Sequence, residues 1–335
     1  MAGQKLNGGR EFLHPAVALG ANHRRRPTAT DVDEPGGVDV TGTRWQLGLP
    51  FVLVHVACVA VVWVGWSVVA VTVAAGLYVV RALAITAFYH RGLSHRAFRM
   101  GRAVRLTGVV VAASAAQRGP LWWVGRHRIH HRFADRPGDP HSPRQVGFWR
   151  AHVGWQFAPG QRETPWEQVP DLASAPELRF LDRHHYLPPG ALAVACLALG
   201  LALGRWAPGL GADGPQMLVW GFAISTVVLW HVTFSVNSFA HRFGRRPFAT
   251  DDTSRNNPVV ALLAMGEGWH NNHHRHPRSA RHGFFPGQID ATHGLLRLLA
   301  RLGLVSDLRP VPARLTVGDG VGAVVRPQRR RAASA

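Results

Sequence analysis

Cysteine is almost absent from this chain of 335 residues, which contains only Cys58 and Cys196. Two distant cysteines cannot form a Cys-x-x-Cys pair, and they cannot supply the four thiolates that hold an iron–sulfur cluster. A Gly-x-Gly-x-x-Gly dinucleotide fingerprint and a His-Pro-Gly-Gly haem motif are also absent. We therefore predict that any electrons the protein uses come from a separate donor.

Charge is missing from long stretches, although the net charge is +19 and Lys5 is the single lysine. Residues 45–80 contain no Asp, Glu, Lys or Arg. As one helix they would reach about 54 Å, against a bilayer hydrocarbon core of about 30 Å. Two spans with a tight turn near Gly65 fit this length better than one. Residues 184–204 and 214–241 are equally free of these charges.

The charge-free stretches predict an all-α integral membrane protein with four transmembrane helices. We expect these spans at about 47–64, 68–89, 187–204 and 215–238. A soluble all-α core is the alternative, but buried helices of soluble proteins rarely run this long without charge. The predicted layout is a mostly disordered arm at 1–44, a main domain at 45–305 with a helical cap at 90–186 and 241–305, and a basic, disordered tail at 306–335.

Arginine is concentrated in the N-terminal arm, the middle segment and the C-terminal region. Basic loops stay in the cytoplasm, so both termini and the cap should be cytoplasmic in a multi-pass cell-membrane protein. Contact with anionic lipid heads explains the remaining excess, and we expect no nucleic-acid partner. The bias of Arg over Lys suggests a bacterial source with a GC-rich genome.

Histidine is abundant, and eight of the 20 histidines form three tight groups. These groups are His90 with His95, then His127, His130 and His131, then His270, His273 and His274. Imidazole nitrogen is a common ligand of iron, zinc and copper, and ligands at i, i+3 and i+4 share one helix face. Eight ligands exceed the demand of one ion, so we predict a two-metal site.

The predicted topology places all three groups on the same, cytoplasmic face of the membrane. His90 and His95 are five residues apart, so we expect the second span to fray between them, near Gly92. Asn237 and His241 form a further i, i+4 pair at the end of the fourth span, with His241 as a ninth ligand. A membrane metal-transport protein is the alternative, but it would place such residues at mid-membrane.

Six strings together resemble the membrane fatty acid desaturases, in particular their acyl-CoA Δ9 branch. They cover roughly residues 45–300 in the order of the family. The strings are His-Arg-Gly-Leu-Ser-His at 90–95, Trp-x-x-x-His-Arg-Ile-His-His at 123–131, Asp-Pro-His at 139–141, His-Val-Gly-Trp at 152–155, Asn-Ser-Phe-Ala-His at 237–241 and Gly-Glu-Gly-Trp-His-Asn-Asn-His-His at 266–274.

The resemblance implies four transmembrane helices under a cytoplasmic cap that holds a histidine-ligated di-iron site. Nine histidines would bind the two irons, Asn237 would reach iron through water, and O2 would be the co-substrate. The implied ligands are His90, His95, His127, His130, His131, His241, His270, His273 and His274. No catalytic residue beyond these ligands is implied. Glu267, Asp139 and Asp135 are the acidic residues expected to orient the imidazoles.

The implied substrate is a long-chain fatty acyl thioester, with acyl-CoA expected, in a bent tunnel below the irons. Trp123 and Trp155 belong to the matched strings and are expected at the substrate. The basic pair that follows His-Val-Gly-Trp in animal members is missing, and Arg144, Arg150 and Arg162 are the nearby substitutes. A phospholipid or an acyl carrier protein could replace CoA.

The implied reaction introduces a cis double bond during unsaturated fatty acid biosynthesis. A ferredoxin or an NAD(P)H-dependent reductase is the expected electron donor. A related histidine-rich hydroxylase or alkane monooxygenase is the alternative enzyme, because both reactions begin by hydrogen abstraction.

Overall fold

The computed structural model describes residues 48–312 and Leu315, and these are mostly helical. Its α-helices are α1 (Leu49–Val59), α2 (Val61–Val64), α3 (Val68–Ala84), α4 (Arg102–Ala113), α5 (Pro120–Phe133), α6 (Pro143–Val146), α7 (Phe148–His152), α8 (Pro176–Arg183), α9 (Leu187–Trp206), α10 (Gly214–Met217), α11 (Ser225–Ser238), α12 (Pro258–Leu263), α13 (His270–Arg275) and α14 (Ala291–Arg301). Two π-helical segments are π1 (Ile85–Ser94) and π2 (Leu218–Ile224). Short 3₁₀ turns occur at Gly154–Phe157, Pro159–Gln161, Trp166–Gln168, Pro208–Leu210 and Phe239–His241.

Three helical stretches are long and apolar enough to cross a membrane. They are Val68–Ser94, Leu187–Trp206 and Gly214–His241, and they extend the spans predicted at 68–89, 187–204 and 215–238. Leu49–Val64 is apolar but shorter, at about 24 Å as a helix. The first span, expected at 47–64, therefore stays a prediction, and so does the total of four. Trp63 in this segment is 78% exposed, which suits contact with lipid.

The turn between the first two apolar helices is made by Gly65, whose φ of 62° favours glycine. The following helix starts where the Ser67 hydroxyl accepts a hydrogen bond from the backbone N–H of Ala70. Further along this helix, the buried Arg81 donates to Thr226 Oγ1 at 2.8 Å and to Ser225 Oγ at 2.6 Å. These bonds join α3 to α11 and satisfy a charge that lies in an apolar helix.

The helix that carries His90 and His95 widens instead of fraying. Residues Ile85–Ser94 continue α3 as a π-helix, and the N–H of His95 donates to the carbonyl of His90 at 3.2 Å. Since a π-helix bonds residue i to i+5, side chains five apart return to about the same face. The predicted break near Gly92 is therefore wrong, and the wider turn brings the two imidazoles together.

Helix α5 is fixed at its start by a carboxylate from α8. Asp182 Oδ1 accepts hydrogen bonds from the N–H groups of Leu121 and Trp122, both at 2.9 Å. A Cβ on Gly119 would lie 2.2 Å from the same oxygen, so only glycine fits there. Leu121 and Leu178 then pack in the main core. This capping sets the position of the histidine-bearing face of α5.

The ordered chain continues past the domain boundary predicted at residue 305. The strands β1 (Arg99–Met100) and β2 (Val305–Ser306) pair antiparallel, with Met100 opposite Val305. Leu315 is buried beside Phe248 and Phe284. The start of the predicted tail is thus held by backbone hydrogen bonds and apolar burial. The predicted arm at 1–44 and the residues beyond 315 lie outside the described residues.

Candidate metal centre

The structure brings all nine predicted histidines together in the cap, in two groups. Within each group the imidazole nitrogens lie within 4.8 Å of one another. The first group is His90, His95, His127, His131 and His273. The second group is His130, His241, His270 and His274. Helices α5 and α13 each contribute to both groups, which explains the repeated spacing of their histidines.

The Nε2 atoms face each other at distances that suit metal coordination. In the first group the pairs are His90–His273 at 3.1 Å, His95–His127 at 2.7 Å and His131–His273 at 2.9 Å. In the second they are His130–His274 at 3.3 Å and His241–His270 at 3.0 Å. Two cis ligands bound at about 2.1 Å to one ion stand about 3.0 Å apart. The spacing therefore fits nitrogens arranged around a common ion.

Carboxylates fix the orientation of three imidazoles in the second group. Nδ1–H of His130 donates to Asp139 at 3.0 Å, that of His241 to Asp135 at 3.0 Å, and that of His274 to Asp252 at 2.7 Å. When such a ring is neutral, its Nε2 atom carries a lone pair and no proton.

The second group therefore has lone pairs that face each other. His130 Nε2 and His274 Nε2 are 3.3 Å apart, and when both rings are neutral neither can donate a proton to the other, because both Nδ1 atoms donate to carboxylates. Two facing lone pairs repel unless a cation lies between them. The donor set thus fits a metal ion, and neutral imidazole is the form that binds one.

The first group is supported by Glu267, which is buried. Its Oε2 lies 2.6 Å from His90 Nδ1 and 3.3 Å from His282 Nδ1. Its other oxygen accepts from Arg91 at 3.0 Å, and Arg91 also pairs with Asp290 at 3.0 Å. A buried carboxylate is costly unless it is paired, and here an arginine and two histidines surround it.

The electrostatics favour the neutral form for six of the nine imidazoles. For His130, burial lowers the pKa, but the Asp139 carboxylate outweighs burial and the pKa is raised. Burial, reinforced by the neighbouring histidines, holds the pKa of His95, His127, His131, His270 and His273 well below the usual value. Burial also lowers the pKa of His274 to about 4, against the opposing effect of Asp252. For Asp252 itself, burial raises the pKa, but the His274 hydrogen bond outweighs burial and the pKa is lowered. The carboxylate therefore stays ionised beside the neutral ring.

A narrow apolar cavity lies directly against both histidine groups. It is lined by His90 and His127 of the first group, by His130 and His270 of the second, and by Asn237. Apolar side chains also line it, among them Ala82, Ile85 and Leu229. A second cavity shares Trp123, His127, Thr233 and Asn237 with the first and continues past Trp155 and Gln156. These two cavities adjoin each other through the four shared residues, and we refer to them together as the path.

A basic surface pocket of about 490 Å3 adjoins this path at Trp122. Arg118, Arg162, Arg179 and Arg183 line it. The carboxylate in the pocket, Asp182, is already hydrogen-bonded to Thr164 at 2.7 Å and to the start of α5. Within the described residues none of these arginines forms an ion pair, so the pocket is suited to an anion.

The predicted substrate residues do not all meet. Trp123 and Trp155 line the second cavity, and Arg162 lines the basic pocket. Arg144 lies exposed on α6 and Arg150 lies on α7, and neither lines that pocket. These assignments stay predictions.

Sequence reasoning missed two residues at the centre. Asp252 bonds His274 but lies 22 residues before it, so no helical spacing connects them. His282 is buried beside Glu267 but belongs to none of the six strings, so no motif pointed to it. Asp135, Asp139 and Glu267 were predicted to orient imidazoles, and each lies against a histidine of the two groups.

The structure thus shows a helical protein with apolar helices of membrane length and a histidine-rich centre. Comparison with known proteins agrees, since residues 63–284 match the family model "Fatty acid desaturase". The chain belongs to the fatty acid desaturase family, and is an oxidoreductase of lipid metabolism. The predicted resemblance to that family is confirmed.

Three relatives illustrate the range of the family. A palmitoyl-monogalactosyldiacylglycerol delta-7 desaturase of Arabidopsis thaliana is 41% identical over 72% of this chain, which spans 62% of that relative. An acyl-CoA C20 Delta5-desaturase of Anemone leveillei is 38% identical over 69% of this chain and 70% of its own. An sn-1 stearoyl-lipid 9-desaturase of Anabaena variabilis is 36% identical over 79% of this chain and 93% of its own.

Proposed function

We propose that this protein is an O2-dependent fatty acyl desaturase that introduces a cis double bond at a di-iron centre. The observation that carries the proposal is the pair of histidine groups, each with Nε2 atoms facing one another, beside an apolar cavity. Each of the nine predicted histidines would be an iron ligand. Asn237, which lines the cavity beside His130 and His270, would hold a water on the second iron.

Iron bound there would supply, with O2, the oxidising power that removes hydrogen from an unactivated methylene. Overall, the acyl substrate loses two hydrogen atoms and O2 is reduced to two waters. This balance takes two electrons and two protons from outside the substrate. A ferredoxin or an NAD(P)H-dependent reductase is the proposed source of the electrons.

The side chains of the cavity would position the acyl chain. The indole of Trp123 stacks on His127, with centroids 5.1 Å apart and planes 23° apart, and forms a rigid wall beside the first histidine group. The apolar lining at Ala82, Ile85 and Leu229 suits a hydrocarbon chain rather than water. The two cavities have volumes of about 60 and 50 Å3, so an acyl chain has to widen them as it enters.

For the carrier of the acyl chain we propose coenzyme A, and for the double bond the Δ9 position. The basic pocket supports a phosphate-bearing carrier, because guanidinium groups bind phosphate through charge-assisted hydrogen bonds. Arg118 and Arg162 lie in direct contact in this pocket, since the Arg118 guanidinium donates to the backbone carbonyl of Arg162 at 3.2 Å. The relatives described above include both acyl-CoA and acyl-lipid enzymes, so the carrier is part of the test.

For the topology we propose four spans, with Leu49–Val64 as the first. Both termini and the metal centre would lie on the cytoplasmic side of a bacterial cell membrane. The arginine-rich cap supports this orientation, since basic segments stay cytoplasmic. The arm at 1–44 and the main domain from residue 45 are part of the same proposal.

One experiment tests the function as a whole. The chain is expressed in a host that lacks its own desaturase, and the fatty acids are analysed by mass spectrometry with location of the double bond. The purified protein is analysed for iron, and acyl-CoA, phospholipid and galactolipid are supplied in parallel. A Δ9 product from acyl-CoA with two irons per chain is expected. A hydroxylated product, or an active enzyme without iron, would refute the proposal.

A further inference from the structure

Access from the cap surface distinguishes the nine histidines. Six of them are buried, with exposures of 8% or less, and the side chain of His274 is only 2% exposed. His127 and His131 are partly exposed. His127 faces the two internal cavities. His131 and His274 instead line a separate polar pocket of about 220 Å3.

The two histidines in this pocket connect both groups to the surface. His131 belongs to the first group and His274 to the second. Their rings stack on each other, with centroids 4.6 Å apart and planes 30° apart. An electron delivered to this stacked pair would therefore reach a ligand of each of the two predicted irons.

The rim of the pocket is basic and exposed. Arg136 and Arg275 line it, and Arg246 is tied to its wall by hydrogen bonds to the carbonyls of Thr250 and Asp252. Asp251 is the exposed acid on the rim, because Asp252 is bonded to His274. Within residues 48–312 neither Arg136 nor Arg275 forms an ion pair, so both guanidinium groups are available to a partner.

We propose that this pocket is the docking surface for an acidic, one-electron carrier protein. The inference rests on the proposed function, which needs two electrons per turnover. The pocket is too narrow for a protein, so the donor would dock on the arginine rim with its redox centre above His131 and His274. Each docking event oxidises one reduced carrier and passes one electron inward, and two events with two solvent protons complete a turnover. Complementary charge chiefly raises the association rate.

The test uses the iron-loaded full chain in detergent and a reduced plant-type [2Fe–2S] ferredoxin as the probe. Stopped-flow absorbance gives the second-order rate of ferredoxin oxidation across a range of NaCl concentrations. The variant is the pair Arg136→Glu and Arg275→Glu, and the matched control is Arg301→Glu, an exposed arginine on α14 that does not line the pocket. Sodium dithionite, followed by O2, drives a single turnover without any donor protein.

We expect the double variant to lower the ferredoxin rate at least tenfold at low salt and to flatten its salt dependence. The control should stay within twofold, and dithionite-driven product should match the parent. As an uncharged second variant, Ala249→Trp should fill the pocket and slow ferredoxin oxidation at least fivefold without changing its salt slope.

Three results would overturn the docking surface. They are a ferredoxin rate unaffected by the charge reversal, an equal loss in the control, and a loss of dithionite-driven product in the double variant. If the parent itself makes no product with dithionite, the proposed function fails instead. The ferredoxin rates, read from the absorbance of the carrier, still decide the docking surface in that case.

Discussion

Replacing Asp252 by Asn should weaken metal binding by the second histidine group. Asp252 Oδ2 accepts from His274 Nδ1–H at 2.7 Å, while Oδ1 accepts from the N–H of Ser254 at 2.8 Å and from Thr250 Oγ1 at 2.9 Å. An amide has one oxygen, so it cannot accept from both N–H groups. In either orientation its NH2 group faces a donor, and the His274 ring loses its charge partner.

The size of the effect follows from this geometry. Loss of the partner that orients a ligating histidine typically costs about 10- to 100-fold in metal affinity. Net hydrogen bonds to charged groups are worth about 1.5–3 kcal/mol, which is the same range. We therefore expect one of two irons to be released at about 10- to 100-fold lower chelator concentration, while the other is retained.

The measurement is an equilibrium titration of the purified protein with a chelator, followed by iron analysis. Asp251→Asn is the matched control, because Asp251 is the adjacent exposed carboxylate and does not contact a histidine of either group. The reasoning is refuted if Asp252→Asn releases iron at the same chelator concentration as the parent. It is equally refuted if Asp251→Asn shifts the titration as much.

Three further outcomes test the assignments. Product should vanish in His241→Ala with membrane insertion intact, while His293→Ala keeps substantial activity; an active His241→Ala would remove the ninth ligand. Arg118→Gln with Arg162→Gln should raise the KM for acyl-CoA several-fold and leave kcat nearly unchanged, and an unchanged KM would reject the CoA site. Burial raises the pKa of Asp171, but hydrogen bonds from two arginines outweigh it and lower the pKa to about 2. Its stabilisation is therefore present above about pH 4 and lost as the pH falls toward 2. In thermal unfolding at pH 6, the free energy of unfolding of the parent should exceed that of Asp171→Asn by about 1 kcal/mol, a value that allows for solvent screening of the ion pair. This difference should close at pH 2. A gap that persists at pH 2 would contradict this.

Much of the molecule follows from local pattern. Charge-free stretches longer than a bilayer is thick predict apolar helices, and three appear close to their expected bounds. The spacing of histidines on α5 and α13 predicts a metal-binding face, because i, i+3 and i+4 positions share one side of a helix.

The tertiary structure decided how these parts meet. The spacing of His90 and His95 suggests a frayed helix, but packing stabilises a π-helix whose wider turn aligns them. Asp252 reaches His274, and Arg118 joins Arg162, only because loops distant in sequence fold together. Sequence periodicity reports which residues share a face of one element. It carries no information on which nitrogens of different elements come within 3.3 Å, since that depends on how the helices pack.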